Sequence, residues 1–351
     1  MDYSMFHLPT YRPGFAPSLH DFYNEIAQTV RWADELGWAR VLTTEHHFHY
    51  YGGAVPNPAV ILAAWAAQTK QIRLSAGVSL VPLRHPLQVA EDYALVDHIS
   101  NGRFDMGVSR GFVPHEFEPF GVQPAETAER VAEGIDIIRR FWKGEPFEHS
   151  GKFYKFGKLQ PWPRTHQKEI PIWIAASNDL ASFERAGKAG LRLMMNQYPM
   201  NVASMLEKHN TFKDAYAKAG HDPKKRKSMM CFAAYIADTE EEAIEAAKLA
   251  MQEHATAFLR CRSHDEFNTN WQGDISVLLD MCEGNDYRDV FRKRTMICTA
   301  EQAAERLQFY IKEGFTELSF MVRYGNITNT QAMETMERLT KEVKPMLGLA
   351  A

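Results

Sequence analysis

Residues 43 to 51 read Thr43-Thr44-Glu45-His46-His47-Phe48-His49-Tyr50-Tyr51, three imidazoles within four positions beside a carboxylate and two phenols. Groups of this kind move protons near neutral pH or ligate a transition metal. A strand-like lead-in, Arg40-Val41-Leu42, comes immediately before them, so the cluster reads as the working end of a β-strand. Adjacent side chains on a strand point to opposite faces, which argues against His46 and His47 sharing one ion.

Length and patterning set what can hold such a cluster in place. With 351 residues, 45% of them hydrophobic, the chain can bury a large core. The formal net charge of -4 comes from interspersed charges, so neither nucleic acid nor an anionic membrane is an expected partner. Cys231, Cys261, Cys282 and Cys298 lie far apart without C-x-x-C spacing, and the start lacks a basic-then-apolar signal region. A reduced, cytoplasmic protein is the expectation. No apolar run approaches the roughly 20 residues that cross a bilayer.

Apolar β-type segments alternate with amphipathic helical ones along the chain. Strands are expected over residues 4–9, 40–44, 72–81, 103–108, 171–176, 191–195, 229–237 and 316–322. Helices are expected between them, several opened by proline or by capping residues, as at Pro58, Pro86 and Thr239-Glu240-Glu241-Glu242. A hairpin around Ser150-Gly151 interrupts the rhythm, and a polar, mixed stretch near residues 255–294 reads as an insertion. About eight β-α units over this length predict one (β/α)8 barrel domain spanning residues 1–351. The competing doubly wound sheet lacks a G-x-G-x-x-G after its first strand.

Barrel chemistry sits at the C-terminal ends of the strands. The second strand ends in the histidine cluster, and the third in Gly77-Val78-Ser79, where glycine permits close backbone approach to a flat ligand. The fourth ends in Val108-Ser109-Arg110-Gly111, a fixed cation beside a glycine, and the fifth in Ser177-Asn178-Asp179 before a helix N-terminus. Taken together these ends suit a phosphorylated planar cofactor. Taken singly, an arginine after a strand is an ordinary surface ion pair and Ser-Asn before a helix an ordinary cap. Tyr50, Tyr51, Phe112 and residues 117–120 crowd the expected mouth, as an apolar substrate wall or as a structural aromatic cluster.

Glu45-His46-His47-Phe48, His85-Pro86, Ala90-Glu91-Asp92, Gly102 through Gly111, Phe120-Gly121-Val122 and Gly151-Lys152-Phe153-Tyr154 together resemble the bacterial luciferase-like, flavin-dependent monooxygenase family. The resemblance implies non-covalent reduced FMN, supplied by a separate NAD(P)H-dependent flavin reductase, which reacts with O2 to a flavin hydroperoxide that oxygenates a small organic substrate. By position, His46 matches the catalytic acid/base and Arg110 a phosphate-binding arginine. Ser109 falls where the light-emitting luciferase subunit has a reactive but dispensable cysteine, and Gly77-Val78 matches a non-prolyl cis peptide behind the flavin ring. Asn178, Asp179 and Ser182 match the phosphate nest, with Asp179 in place of a neutral residue. Ala128 stands where a second phosphate arginine is expected, leaving Arg130 as the candidate substitute. His47 and Glu91 match a pair that meets across a dimer interface, which implies a homodimer, with Glu45 orienting its neighbours. Two alternatives remain: a hydride-transferring oxidoreductase using a deazaflavin on the same barrel, and a non-catalytic flavin-binding paralogue.

Overall fold

The barrel strands are short, mainly apolar runs, several of them opened by a charged residue. In the computed structural model, which describes residues 1–349 apart from 13, 15, 17, 178, 198, 199 and 263–286, the strands are β1 (Asp2–His7), β2 (Arg40–Thr43), β3 (Arg73–Ala76), β4 (Ser79–Leu80) and β5 (Phe104–Ser109). They continue with β6 (Phe147–Ser150), β7 (Lys155–Leu159), β8 (Ile172–Ala175), β9 (Arg192–Asn196), β10 (Ser228–Ile236), β11 (Met296–Cys298) and β12 (Glu317–Met321). Parallel pairings run β1–β2–β3–β5–β8–β9–β10–β12 and back to β1. The ring is therefore closed, an eight-stranded (β/α)8 barrel without free edges.

Helices cover the ring because their apolar stripes need a partner and the outer barrel surface provides one. They are α1 (Leu19–Glu35), α2 (Pro58–Ala66), α3 (Pro86–Ile99), α4 (Thr127–Lys143), α5 (Leu180–Lys188), α6 (Val202–Lys218) and α7 (Glu240–Arg262), followed by Tyr287–Arg294, Ala300–Lys312 and Asn329–Arg338. Capping residues open most of them: Ser18, Asn57, Asp179, Asn201, Thr299 and Thr328 each accept a hydrogen bond from a first-turn backbone N–H. No helix among the described residues is long and apolar enough to cross a membrane.

Three expectations change. The strand anticipated over residues 72–81 is two strands, because the chain breaks at a cis Gly77–Val78 peptide and β4 pairs with the far end of β5. The insertion expected from residue 255 begins later. Helix α7 continues to Arg262 because Ala255, Phe258 and Cys261 extend its buried stripe at helical spacing, and Tyr287–Arg294 is helical too; the remainder, with Phe267 and Trp271, lies outside the described residues. Strand β11, three residues long and paired to the end of β10, is too short to show a period.

The N-terminal ends of the strands close the barrel floor with charge. Arg40 begins β2, Arg73 β3, Arg192 β9 and Glu317 β12, and Asp105 is second in β5. Asp105, fully buried, is ion-paired with Arg40 and Arg73, accepts from Trp173 Nε1 at 3.1 Å and lies 3.5 Å from Arg192. Arg40 also donates to Glu317 at 2.9 Å and stacks 5.0 Å over the Trp173 ring. Burial alone would raise the Asp105 pKa, but Arg40 and Arg73 hold it below the usual carboxylate range.

Removing one partner of such a cluster leaves buried charge uncompensated, so Arg40→Met should lose about 3–5 kcal/mol of unfolding free energy in urea at neutral pH. Because the Asp105 pKa is depressed in the fold, its contribution is present above the unfolded pKa and lost as pH falls through the folded one; the difference between variant and wild type should narrow in acid. An unchanged urea midpoint would show that Arg73 and Arg192 suffice without Arg40.

Candidate active site

Beyond the end of β2 the chain leaves the sheet and turns back. Phe48 adopts the left-handed region (φ 66°) and Gly52 does the same (φ 69°). A Cβ on Gly52 would lie 2.6 Å from His46 Cδ2, so glycine is required where the returning backbone passes the ring. This loop delivers His46 and His49 to a common point, the carboxylate of Glu116, on the short turn Pro114–Glu116 after β5. Glu116 Oε1 accepts from His46 Nδ1 at 3.0 Å, His49 Nε2 at 3.1 Å and the His47 backbone N–H at 2.7 Å.

Glu116 is fully buried. Burial would raise its pKa, but the two imidazoles and the His47 amide outweigh this and push it down to about 2. An ionised carboxylate only accepts, so His46 donates from Nδ1 and, when neutral, keeps its lone pair on Nε2. Burial lowers the His49 pKa despite the Glu116 bond. Glu45 acts elsewhere in the loop, where its Oε2 accepts from Ser79 Oγ at 3.0 Å and Leu80 N at 3.1 Å and its Oε1 lies 3.3 Å from His47 Nε2. The end of β2 is thereby tied to β4.

His46 lines a cavity of about 490 Å³ at the C-terminal ends of the strands. Gly77, Val78, Ser109, Arg110, Phe112, Tyr51, Asp179 and Ser182 line it as well. A Cβ on Gly77 would sit 2.7 Å from Leu42 Cβ, so this wall depends on glycine. Phe112 meets the His46 ring edge-on at 5.6 Å. Tyr50 is exposed and outside the lining, whereas Tyr51 is buried in it. His47 packs against Phe120 at 4.9 Å and lies outside the lining, and Glu91 is exposed on α3. Asn178 falls outside the described residues.

One corner of the cavity is cationic. Arg110 and Arg185 meet there beside Asp179, and Arg139 of α4 lines the same cavity. Asp179 does not turn away: it caps α5, accepting from Ser182 N at 2.8 Å and Ser182 Oγ at 2.9 Å, and Arg110 donates to it at 3.3 Å, with Arg185 at 3.6 Å. Burial would raise its pKa, yet these Ser182 bonds and arginines lower it. Arg130 is elsewhere, bonded to Glu126 at 3.2 Å and 4.4 Å over the Phe153 ring. The reason is helical phase: Ala128, Val131, Ala132, Ile135, Asp136 and Arg139 form the cavity-facing stripe of α4, and residue 130 falls off it. Arg139, Arg185 and Glu116 are not anticipated by the strand-end reading. Nor are His254 and Phe258 of α7, whose rings lie 5.5 and 5.2 Å from Tyr51. Helical periodicity carried through α4 and α7 would have indicated the arginine on α4 and both rings on α7; no local signal marks Glu116.

The model of the luciferase-like monooxygenases matches residues 1–317. The oxygenase component of the flavin-dependent trigonelline monooxygenase of Acinetobacter baylyi is 31% identical over 329 residues, 92% of this chain and 89% of that protein. Monooxygenase RslO1 from Streptomyces bottropensis superposes with a TM-score of 0.86 at 29% identity, covering 98% of this chain and 99% of that one. The oxygenating constituent of the Pseudomonas putida 3,6-diketocamphane monooxygenase, solved with FMN, shares the fold at a TM-score of 0.79 and 20% identity, covering 100% and 99%. On the extent of the family match and of the Acinetobacter relative, the chain belongs to the luciferase-like monooxygenase family.

Proposed function

We propose that the chain is the oxygenase component of a two-component flavin monooxygenase, receiving reduced FMN from a separate NAD(P)H-dependent flavin reductase and using O2 to oxygenate a small apolar or aromatic molecule. The observation that carries this is the pairing, in one cavity, of a carboxylate-held histidine with a corner where Arg110 and Arg185 meet at the start of α5. The residues present fit the cofactor. Leu42, Gly77 and Val78 offer an apolar wall to the ring system, and Arg110, Arg185 and Ser182 the donors for its phosphate. When bound, the flavin supplies the electrons and the oxygen activation.

The protein's own contribution is positional and protic. Glu116 fixes the His46 ring and directs its Nε2 lone pair to the cavity side, where it can take or return a proton. Tyr51 and Phe112 pack against the His46 ring at 5.4 and 5.6 Å, and Phe258 packs against both, so the imidazole sits in largely aromatic surroundings. Asp179 lowers the net positive charge that a phosphate meets at the corner, which keeps flavin affinity modest and suits a cofactor that must pass between two proteins. A homodimer belongs to the same reading, with His47 and Glu91 in its contact.

His46→Ala should reduce product formed per O2 consumed, with kcat for the organic product falling by about 10²–10⁴ and FMN binding retained. Glu116→Gln can offer an N–H to His46 and reverse its tautomer, a change expected to lower kcat by about 10² or more. Unaltered coupling in both variants would remove His46 from the chemistry.

Asp179→Asn keeps the helix cap and removes the competing charge. Reduced FMN should then bind up to about fivefold more tightly in an anaerobic titration, the worth of one exposed ionic contact. Weaker binding would show that Asp179 supports the phosphate site. Tight deazaflavin binding with negligible FMN affinity in the same titration would overturn the cofactor assignment.

A further inference from the structure

The trio that positions His46 also has the make-up of a transition-metal site. One ligand atom from each of His46, His49 and Glu116 lies within 4.8 Å of the others, and the two imidazole nitrogens are 3.0 and 3.1 Å from Glu116 Oε1. Around a tetrahedral ion with bonds of about 2.0–2.2 Å, ligand atoms stand roughly 3.3 Å apart. The two imidazole–carboxylate separations therefore need to open by only a few tenths of an ångström, and the two imidazole nitrogens already lie within 4.8 Å of each other. Its hydrogen bonding is lopsided: Oε1 accepts three bonds, while Oε2 and His49 Nδ1 are buried with no hydrogen-bond partner among the described residues. An unpaired, ionised oxygen in a buried site is costly and disposed toward a cation.

Strand geometry excludes His46 with His47, but the chain is no longer a strand here. The left-handed turn at Phe48 brings His49 round to His46 instead, and Glu116 completes a set of two imidazoles and one carboxylate. Three protein ligands leave one position open, as in catalytic zinc sites. Two nitrogen ligands disfavour magnesium and calcium, which require oxygen.

We propose that His46, His49 and Glu116 form a binding site for a divalent transition ion of the zinc class, and that a bound ion silences the enzyme by capturing His46. On loading, each neutral imidazole gives the ion the lone pair of the nitrogen facing Glu116, and its proton moves to the opposite ring nitrogen. No proton is gained or lost overall, but His46 Nε2 becomes a donor where an acceptor was. The silencing half rests on the assignment of His46 as the proton-transfer group; the binding half does not.

The test is a Co2+ titration of tag-free protein. Wild type should show visible d–d absorption saturating at one ion per chain, displaced by Zn2+, and His49→Ala should weaken Co2+ binding by at least about tenfold, since outer partners alone are worth that much. Far-UV circular dichroism checks the fold, with His49→Gln as the alternative should the alanine variant not fold. Zn2+ should inhibit product formation reversibly, with recovery on chelation. Featureless absorption, or equal Co2+ binding by the His49 variants, would overturn the site. A His49-dependent Co2+ spectrum without Zn2+ inhibition would uphold the site and overturn the silencing, placing the error in the role given to His46.

Discussion

Closing a parallel sheet into a ring brings eight strand starts together in a confined space, and in this protein three of the side chains found there are arginines. Asp105 and Glu317 make that arrangement tolerable: the first is fully buried and shared by Arg40, Arg73 and Arg192, the second is held by Arg40. Trp173 adds a ring face and an N–H to the same cluster. Buried charge of this kind contributes little net stability against a well-packed apolar floor, but it admits few alternative registers. The cluster joins β2, β3, β5, β8, β9 and β12, so it holds in phase the strands that carry the site at their other ends.

At those other ends a second carboxylate has the corresponding role. Glu116 gathers two imidazoles and a backbone amide from a loop 67 to 70 residues earlier in the chain, and Glu45 ties the same loop to β4. The histidine cluster is held in place because both anchoring carboxylates are buried and each accepts several hydrogen bonds, not because the loop is intrinsically stiff. Positioned this way, the flavin-dependent monooxygenase can keep a defined tautomer at His46 without a further residue devoted to it.

The barrel is legible in the sequence because strands and helices differ in period, and the strand-end rule alone points to His46, Gly77, Ser109, Arg110 and Asp179, which line one cavity, while Ser182 comes from the family resemblance. Legibility fails where contacts are remote or phase matters. Glu116 sits in a polar loop, and nothing local distinguishes it from its neighbours; only the fold shows that three donors converge on it. Arg130 is close to residue 128 in sequence but off its face, whereas the helical stripe of α4 carries the cavity face to Arg139. Residues 255–262 look mixed because Thr256 and Arg260 lie between the apolar positions, with His254 just before them, although Ala255, Phe258 and Cys261 keep the period. His49 has no role of its own legible in the sequence, since the left-handed turn at Phe48 that redirects it has no glycine to announce it.

The cationic corner has a kinetic side as well. The chain as a whole carries a formal charge of -4, so an anion approaching from solution is repelled at long range. Arg110 and Arg185 about Asp179 leave one corner of the cavity locally positive, and the low-dielectric walls of the cavity confine that field to its surroundings. Capture of an anionic ligand is then a short-range event that begins within about a Debye length of the opening, some 8 Å at physiological ionic strength. Added salt would screen the distant repulsion before it screened the corner, so moderate ionic strength favours encounter here, the reverse of the usual behaviour of an electrostatically steered site.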